Sequence, residues 1–169
     1  IRNKIPFQLT RQVYFSTVFA HINFGLEIYG SCPKSLKNKL QSKQNQLLKV
    51  LTNKERLYPT NELHAQNRIL KIEEVYNLKI ISFVHDCLNE NTIPLFHDYF
   101  KLQHQTHSYP TRHILNIIQP KVKTNMGFSS IKSMEASLWN NSEVARSNFQ
   151  YSKTTLKKNM TSFYINSYL

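Results

Sequence analysis

KSLKNKLQSKQNQLLKVLTN, residues 34–53, is the stretch that decides the fold. At about 100° per residue, Leu36, Leu40, Leu47 and Leu51 fall in one narrow stripe, with Leu48 at its edge. Asn38, Ser42, Asn45 and Lys49 lie opposite. Such a pattern predicts an amphipathic helix with one buried side. Upstream, Leu9, Val13, Val18, Ile22 and Leu26 recur near helical spacing, which predicts a largely apolar helix over residues 7–29. Thr17 and Gly25 are small enough for another backbone to come close, and Gly30, Ser31 and Pro33 turn the chain. Two apolar helices joined by a short turn make a helical hairpin.

The helical pattern continues downstream. Pro59 interrupts it, and Thr60 then reads as the N-cap of a short helix reaching Asn67. A longer helix is expected over residues 73–89. Its opening carboxylates, Glu73 and Glu74, suit the positive end of the helix dipole. Pro94 can start another short helix. Residues 101–112 lack a period and read as a loop. A small extended element is expected between Ile114 and Lys132, limited to an edge by Pro120. Residues 149–168 read as a final basic helix with Ser147 as its cap. The expected fold class is mainly α: a helical hairpin, then an irregular helical extension with that small extended element. The chain divides on this basis into residues 1–58 and 59–169.

Composition narrows the function. The 169 residues are 40% apolar, enough to supply a core. Three Gly and six Pro argue against a many-stranded sheet. Cys32 and Cys87 cannot form a disulfide framework or a four-cysteine zinc site, and they suggest a reducing compartment. No apolar run approaches the roughly 18 residues of a membrane span. The start, IRNKIPFQLTRQ, lacks an apolar signal core and an initiator Met, and reads as an internal cut. The formal net charge is +12. Residues 1–58 hold 10 Lys/Arg against 2 Asp/Glu, or +8; residues 59–100 hold 3 against 6, or −3; residues 101–169 hold 9 against 2, or +7. Two basic parts around a mildly acidic one favour a polyanion, most often nucleic acid.

Five motifs add to this: YGS at residues 29–31, LLKVLTNKERL at 47–57, YPTNELH at 58–64, HSYPTR at 107–112 and LWN at 138–140. In this order and spacing they resemble the C-terminal part of a non-LTR, LINE-type retrotransposon reverse transcriptase of the jockey-like kind. The resemblance covers nearly the whole chain. It implies that residues 1–58 correspond to the thumb, which grips the template–primer duplex, and that residues 59–169 correspond to the extension behind it. It also implies a parent RNA-directed DNA polymerase whose palm and endonuclease lie upstream, with Mg²⁺ held in that palm. The implied partners are RNA and RNA–DNA or DNA duplex, with no membrane. The implied location is intracellular, in the nucleus after a cytoplasmic ribonucleoprotein stage.

The site residues follow from charge and resemblance together. Lys34, Lys37, Lys39, Lys43, Lys49, Lys54 and Arg56 cluster on or just after one helix and would neutralise phosphates without reading sequence. The alternative is a solvated helix face. His107, Tyr109 and Arg112 can stack on bases or grip phosphate, or can fix their loop by bonding backbone carbonyls. Lys121 and Lys123 extend the candidate set. Trp139 reads as a core anchor with its indole N–H paired. No catalytic site is expected in this chain: two-metal nucleotidyl transfer needs clustered carboxylates, and Asp86 and Asp98 have no acidic neighbour. No cofactor is expected in it either. The histidines and Cys87 lack the short, regular spacing of a zinc site. Two other classes stay open: a stand-alone nucleic-acid-binding module, and a structural or interaction domain whose basic face is incidental.

Overall fold

The structure, a computed structural model, describes residues 6–105, 114–124, 127 and 130–169. It is mainly helical, as the periodicity predicts. The helices are α1 (Phe7–Val13), α2 (Ala20–Asn23), α3 (Leu26–Tyr29), α4 (Lys34–Leu51), α5 (Thr60–Asn67), α6 (Ile72–Leu88), α7 (Ile131–Asn141), α8 (Glu143–Ser147) and α9 (Lys153–Asn166). A π-helical stretch, Tyr14–Phe19, joins α1 to α2. Short 3₁₀ turns lie at Pro94–Phe96 and Gln103–Gln105.

Two compact units emerge, one of residues 1–76 with 164–169 and one of residues 77–163. The boundary between these units falls within α6, and again within α9. The physical reason lies in α5. Its Leu63 joins Tyr14, Leu48 and Ile69 in one buried cluster, so residues past 58 complete the core that the first helices begin.

The first helix is not the single regular rod expected over residues 7–29. The π stretch closes wider turns and shifts the phase of the residues that follow it. Leu9 and Val13, ahead of it, are half-exposed, while Tyr14, Ile22 and Leu26 are buried, so the five apolar positions do not share one face. At Phe24 the backbone turns extended, and Gly25 takes the left-handed conformation (φ 64°) before α3 begins. The Tyr29 hydroxyl donates to the Ile22 carbonyl, tying α3 back across that break.

Within α4 the leucine stripe is real, but its centre is displaced. Leu48 is only 1% exposed and Leu36 is 52% exposed. Gln44, midway along the buried side, is buried as well. Its amide donates to the Tyr14 hydroxyl at 2.8 Å and to the Leu70 carbonyl at 3.1 Å. A polar residue is tolerated there because its donor is paired.

In the unit of residues 77–163, Trp139 and Leu156 are fully buried. Of the extended element expected between Ile114 and Lys132, the described residues show one antiparallel bridge, between Leu102 and Ile117, and Lys132 already belongs to α7. Among the described residues no strand is present. Two caps differ from expectation. Pro59 precedes α5 and Thr60 is its first helical residue, with no side-chain cap. The final helix starts at Lys153, with the Ser152 hydroxyl accepting from the Thr155 N–H at 3.3 Å. Ser147 lies in α8, where its hydroxyl donates to the Val144 carbonyl.

Candidate nucleic-acid interface

The basic residues of residues 34–58 do not form one surface. Lys37 is committed to an ion pair with Glu73 at 2.7 Å and lies over the Tyr76 ring. Lys43 borders a mostly apolar groove between the π stretch and α4, beside Val18, Ile22, Leu40 and Leu47. Lys34 and Lys39 point into solvent.

Lys49 belongs to a different place. Past the end of α4, Asn53 adopts a left-handed backbone (φ 54°) and the Lys54 N–H donates to the Lys49 carbonyl at 2.8 Å. The chain thereby folds back along α4. The Lys49 ammonium donates to the Arg56 carbonyl at 2.7 Å, and Lys54 sits 4.5 Å above the Tyr58 ring. The result is a groove of about 670 Å³ bordered by Ser42, Asn45, Gln46, Lys49, Lys54 and Arg56. Three cations and several neutral polar groups meet there, and no carboxylate among the described residues lines it. An ammonium has three donors, so Lys49 keeps two beyond its bond to Arg56. Lys54 already stands with Lys49 and Arg56 in the basic cluster read from the sequence, in the run LTNKERL.

Comparison with protein-family models, curated proteins and solved structures found no match.

YPTNELH acts as the strut behind this groove. Leu63 and His64 are fully buried. His64 Nδ1 lies 2.8 Å from the Ile69 carbonyl, which can only accept, so Nδ1 carries a proton. Nε2 faces the side chains of Asn45 at 2.8 Å and Gln41 at 3.3 Å, both from α4. Burial lowers the His64 pKa, which favours the neutral ring. Gln41 also accepts from the Ile72 N–H at 2.8 Å, and Asn61 accepts from the Lys71 ammonium at 2.9 Å. The polar run QSKQNQ therefore faces partly inward. Gln44 offered a signal for this, since it stands at a core position of the leucine period.

The remaining candidates are placed as follows. Lys121 and Lys123 are exposed in the unit of residues 77–163. His107, Tyr109 and Arg112 lie outside the described residues. Trp139 is buried, and its indole N–H donates to the Leu115 carbonyl at 2.9 Å.

The titratable groups are dispersed. His85, His97 and His104 each lie within hydrogen-bond distance of a backbone carbonyl, those of Tyr151, Thr92 and Ile114. Asp86 pairs with Lys153, and burial pushes the Cys87 thiol up to about 11. Glu74 and Glu135 are each pushed up to about 7, chiefly by burial. Among the described residues no group of three or more His, Cys, Asp and Glu is arranged to hold a metal ion. Among the described residues no helix is long and apolar enough to cross a membrane.

Proposed function

We propose that this chain is the post-palm part of a LINE-type reverse transcriptase, and that its first unit grips nucleic acid by the phosphate backbone. The groove of Lys49, Lys54 and Arg56 is the observation that carries the binding role. It gathers positive charge with no carboxylate among its described lining residues, on a wall held by α4 and α5. The order of the five motifs supports the parentage. Contact there is sequence-independent, because ammonium and guanidinium groups meet phosphate rather than base edges. Tyr58 offers no open platform for a base, since Lys54 lies over its ring and the side chain packs against the buried cluster of Tyr14, Leu48, Leu63 and Ile69. The partners on this proposal are RNA and RNA–DNA or DNA duplex, and the setting is the nucleus with a cytoplasmic ribonucleoprotein stage. The chemistry of polymerisation belongs to a palm upstream.

The test is salt-titrated binding to an RNA–DNA duplex. A Lys49→Gln, Lys54→Gln, Arg56→Gln variant should bind more weakly, with a salt slope smaller by roughly one unit for each phosphate it no longer neutralises. Lys43→Gln should change the slope little. A triple variant that keeps both affinity and slope would show the groove to be a solvated surface.

A second reading has its own support. Phe24 and Ile28, on either side of the Gly25 break, are 86% and 79% exposed. Exposed apolar side chains of this size suit a protein partner, and hence an interaction domain.

A further inference from the structure

The unit of residues 77–163 holds a second polar cavity, unrelated to the α4 groove. It measures about 450 Å³ and is bordered by Gln103, Asn116, Gln119, Asn140, Asn141 and Arg146. Its frame is fixed at backbone level. Asn140 binds both polar groups of the Ile117 backbone, and the indole of Trp139 holds the Leu115 carbonyl. The bridge to Leu102 holds Ile117 from the other side, with the Gln103 N–H donating to the Asn116 carbonyl at 2.8 Å.

Arg146 is the charged member. Its Nη1 donates to Asn116 Oδ1 at 2.8 Å, which orients the guanidinium plane. Its Nε is buried and has no hydrogen-bond partner among the described residues. No carboxylate among the described residues forms an ion pair with it. A guanidinium held by a neutral amide and left without a counter-charge is a site for an anion. The side-chain amides of Gln119 and Asn141 add neutral donors at the same cavity. No aromatic ring among the described residues borders it, so a stacked base finds no platform there.

We propose that this cavity binds a phosphate group, with Arg146 as its charged anchor and the amides of Gln119 and Asn141 as neutral donors. The phosphate comes either from a small phosphorylated molecule or from a nucleic-acid backbone. The chemistry recognised is the same in both cases: a tetrahedral oxyanion meeting a planar guanidinium. The site does not depend on the α4 groove, and its test does not use that groove's residues.

The experiment is a titration of the full ¹⁵N-labelled chain, followed by NMR. The buried Arg146 Nε–H and the side-chain amides of Asn141 and Gln119 are the reporters. Inorganic phosphate, balanced with chloride at constant ionic strength, should move all three saturably, and chloride alone should not. Arg146→Gln should weaken binding about tenfold or more. That variant also loses the bond to Asn116, so Asn141→Asp is the second. The Asn141 amide donates to the Ser137 hydroxyl, one turn away, at 3.3 Å, so little of the frame rests on it. The new carboxylate should abolish binding while the spectrum stays dispersed. A short oligouridylate forms the other arm. If it moves the reporters and inorganic phosphate does not, the phosphate is that of a polymer backbone. If neither moves them, or if Asn141→Asp binds phosphate as well as the parent chain, the proposal is wrong.

Discussion

Asn140 stands to Ile117 as a neighbouring strand would. The Ile117 N–H donates to Asn140 Oδ1 at 2.7 Å, and Asn140 Nδ2 donates to the Ile117 carbonyl at 2.9 Å. One side chain thereby satisfies both backbone groups of a residue that is itself buried. The bridge to Leu102 needs no further strand beside it, which is why an isolated extended pair persists in a helical unit.

Asn140→Ala removes both partners at once. The buried N–H and C=O of Ile117 then stay unpaired, and each such group costs about 1–3 kcal/mol. Chemical denaturation should show a loss of roughly 2–4 kcal/mol. Asn140→Asp also loses the donor and sets a second acceptor oxygen against the Ile117 carbonyl, so it should destabilise as well.

Gly30, in the YGS motif, is buried where a Cβ would overlap the Tyr76 ring and the Leu26 carbonyl. Gly30→Ala should therefore destabilise the first unit by about 1–3 kcal/mol, as overpacking does. Gly25 has open space around it, but its left-handed backbone disfavours any side chain. Gly25→Ala should cost about 1 kcal/mol through conformation alone. Thermal melts of the two variants separate packing from backbone strain if Tyr76→Leu is combined with each: only the Gly30 loss should shrink.

Leu48 and Leu36 share one helix and differ in burial. Leu48→Ala opens a cavity and should cost about 2–5 kcal/mol. Leu36→Ala, at a half-exposed position, should cost less than about 1 kcal/mol. Equal losses in denaturant midpoints would contradict the packing of α4.

Glu135 makes the stability of its unit depend on pH. It is 3% exposed, its Oε2 has no partner among the described residues, and burial raises its pKa from 4.5 to about 7. Between those values the folded chain holds a proton that the unfolded chain has lost. Stability therefore falls as pH rises from about 4.5 to about 7, and the loss is complete above that window. The drop should be on the order of 3 kcal/mol. Glu74, raised the same way to about 7, adds a slope of the same sign. Glu135→Gln should remove its own share, read as unfolding midpoints at pH 5 and pH 8.

A primer-extension assay with Mg²⁺ and nucleotides should stay at background for this chain alone. The acids are spent separately: Glu73 on Lys37, Asp86 on Lys153, Glu74 on the Lys71 N–H. Incorporation that survives stringent purification would overturn that expectation. A chelator should likewise leave the melting temperature unchanged.

The leucine period by itself determined α4, to within two residues of its end, and with it the helical class. Turn residues located the breaks at 30–33 and 59. Charge counts located the basic parts, and the indole of Trp139 was legible as a paired core donor. Tertiary structure decided which side of each helix is deepest. A period names a face only while the helix stays regular, and the π stretch breaks the count between Val13 and Ala20. Inward polar residues were invisible for another reason. Gln41, Gln44 and His64 are buried or half-buried because partners distant in sequence satisfy them, and no local pattern contains those partners. The groove has the same origin. Lys49 and Arg56 meet because Asn53 turns the chain back and the buried His64 and Leu63 hold α5 against α4, an arrangement set by packing between segments rather than by spacing along one.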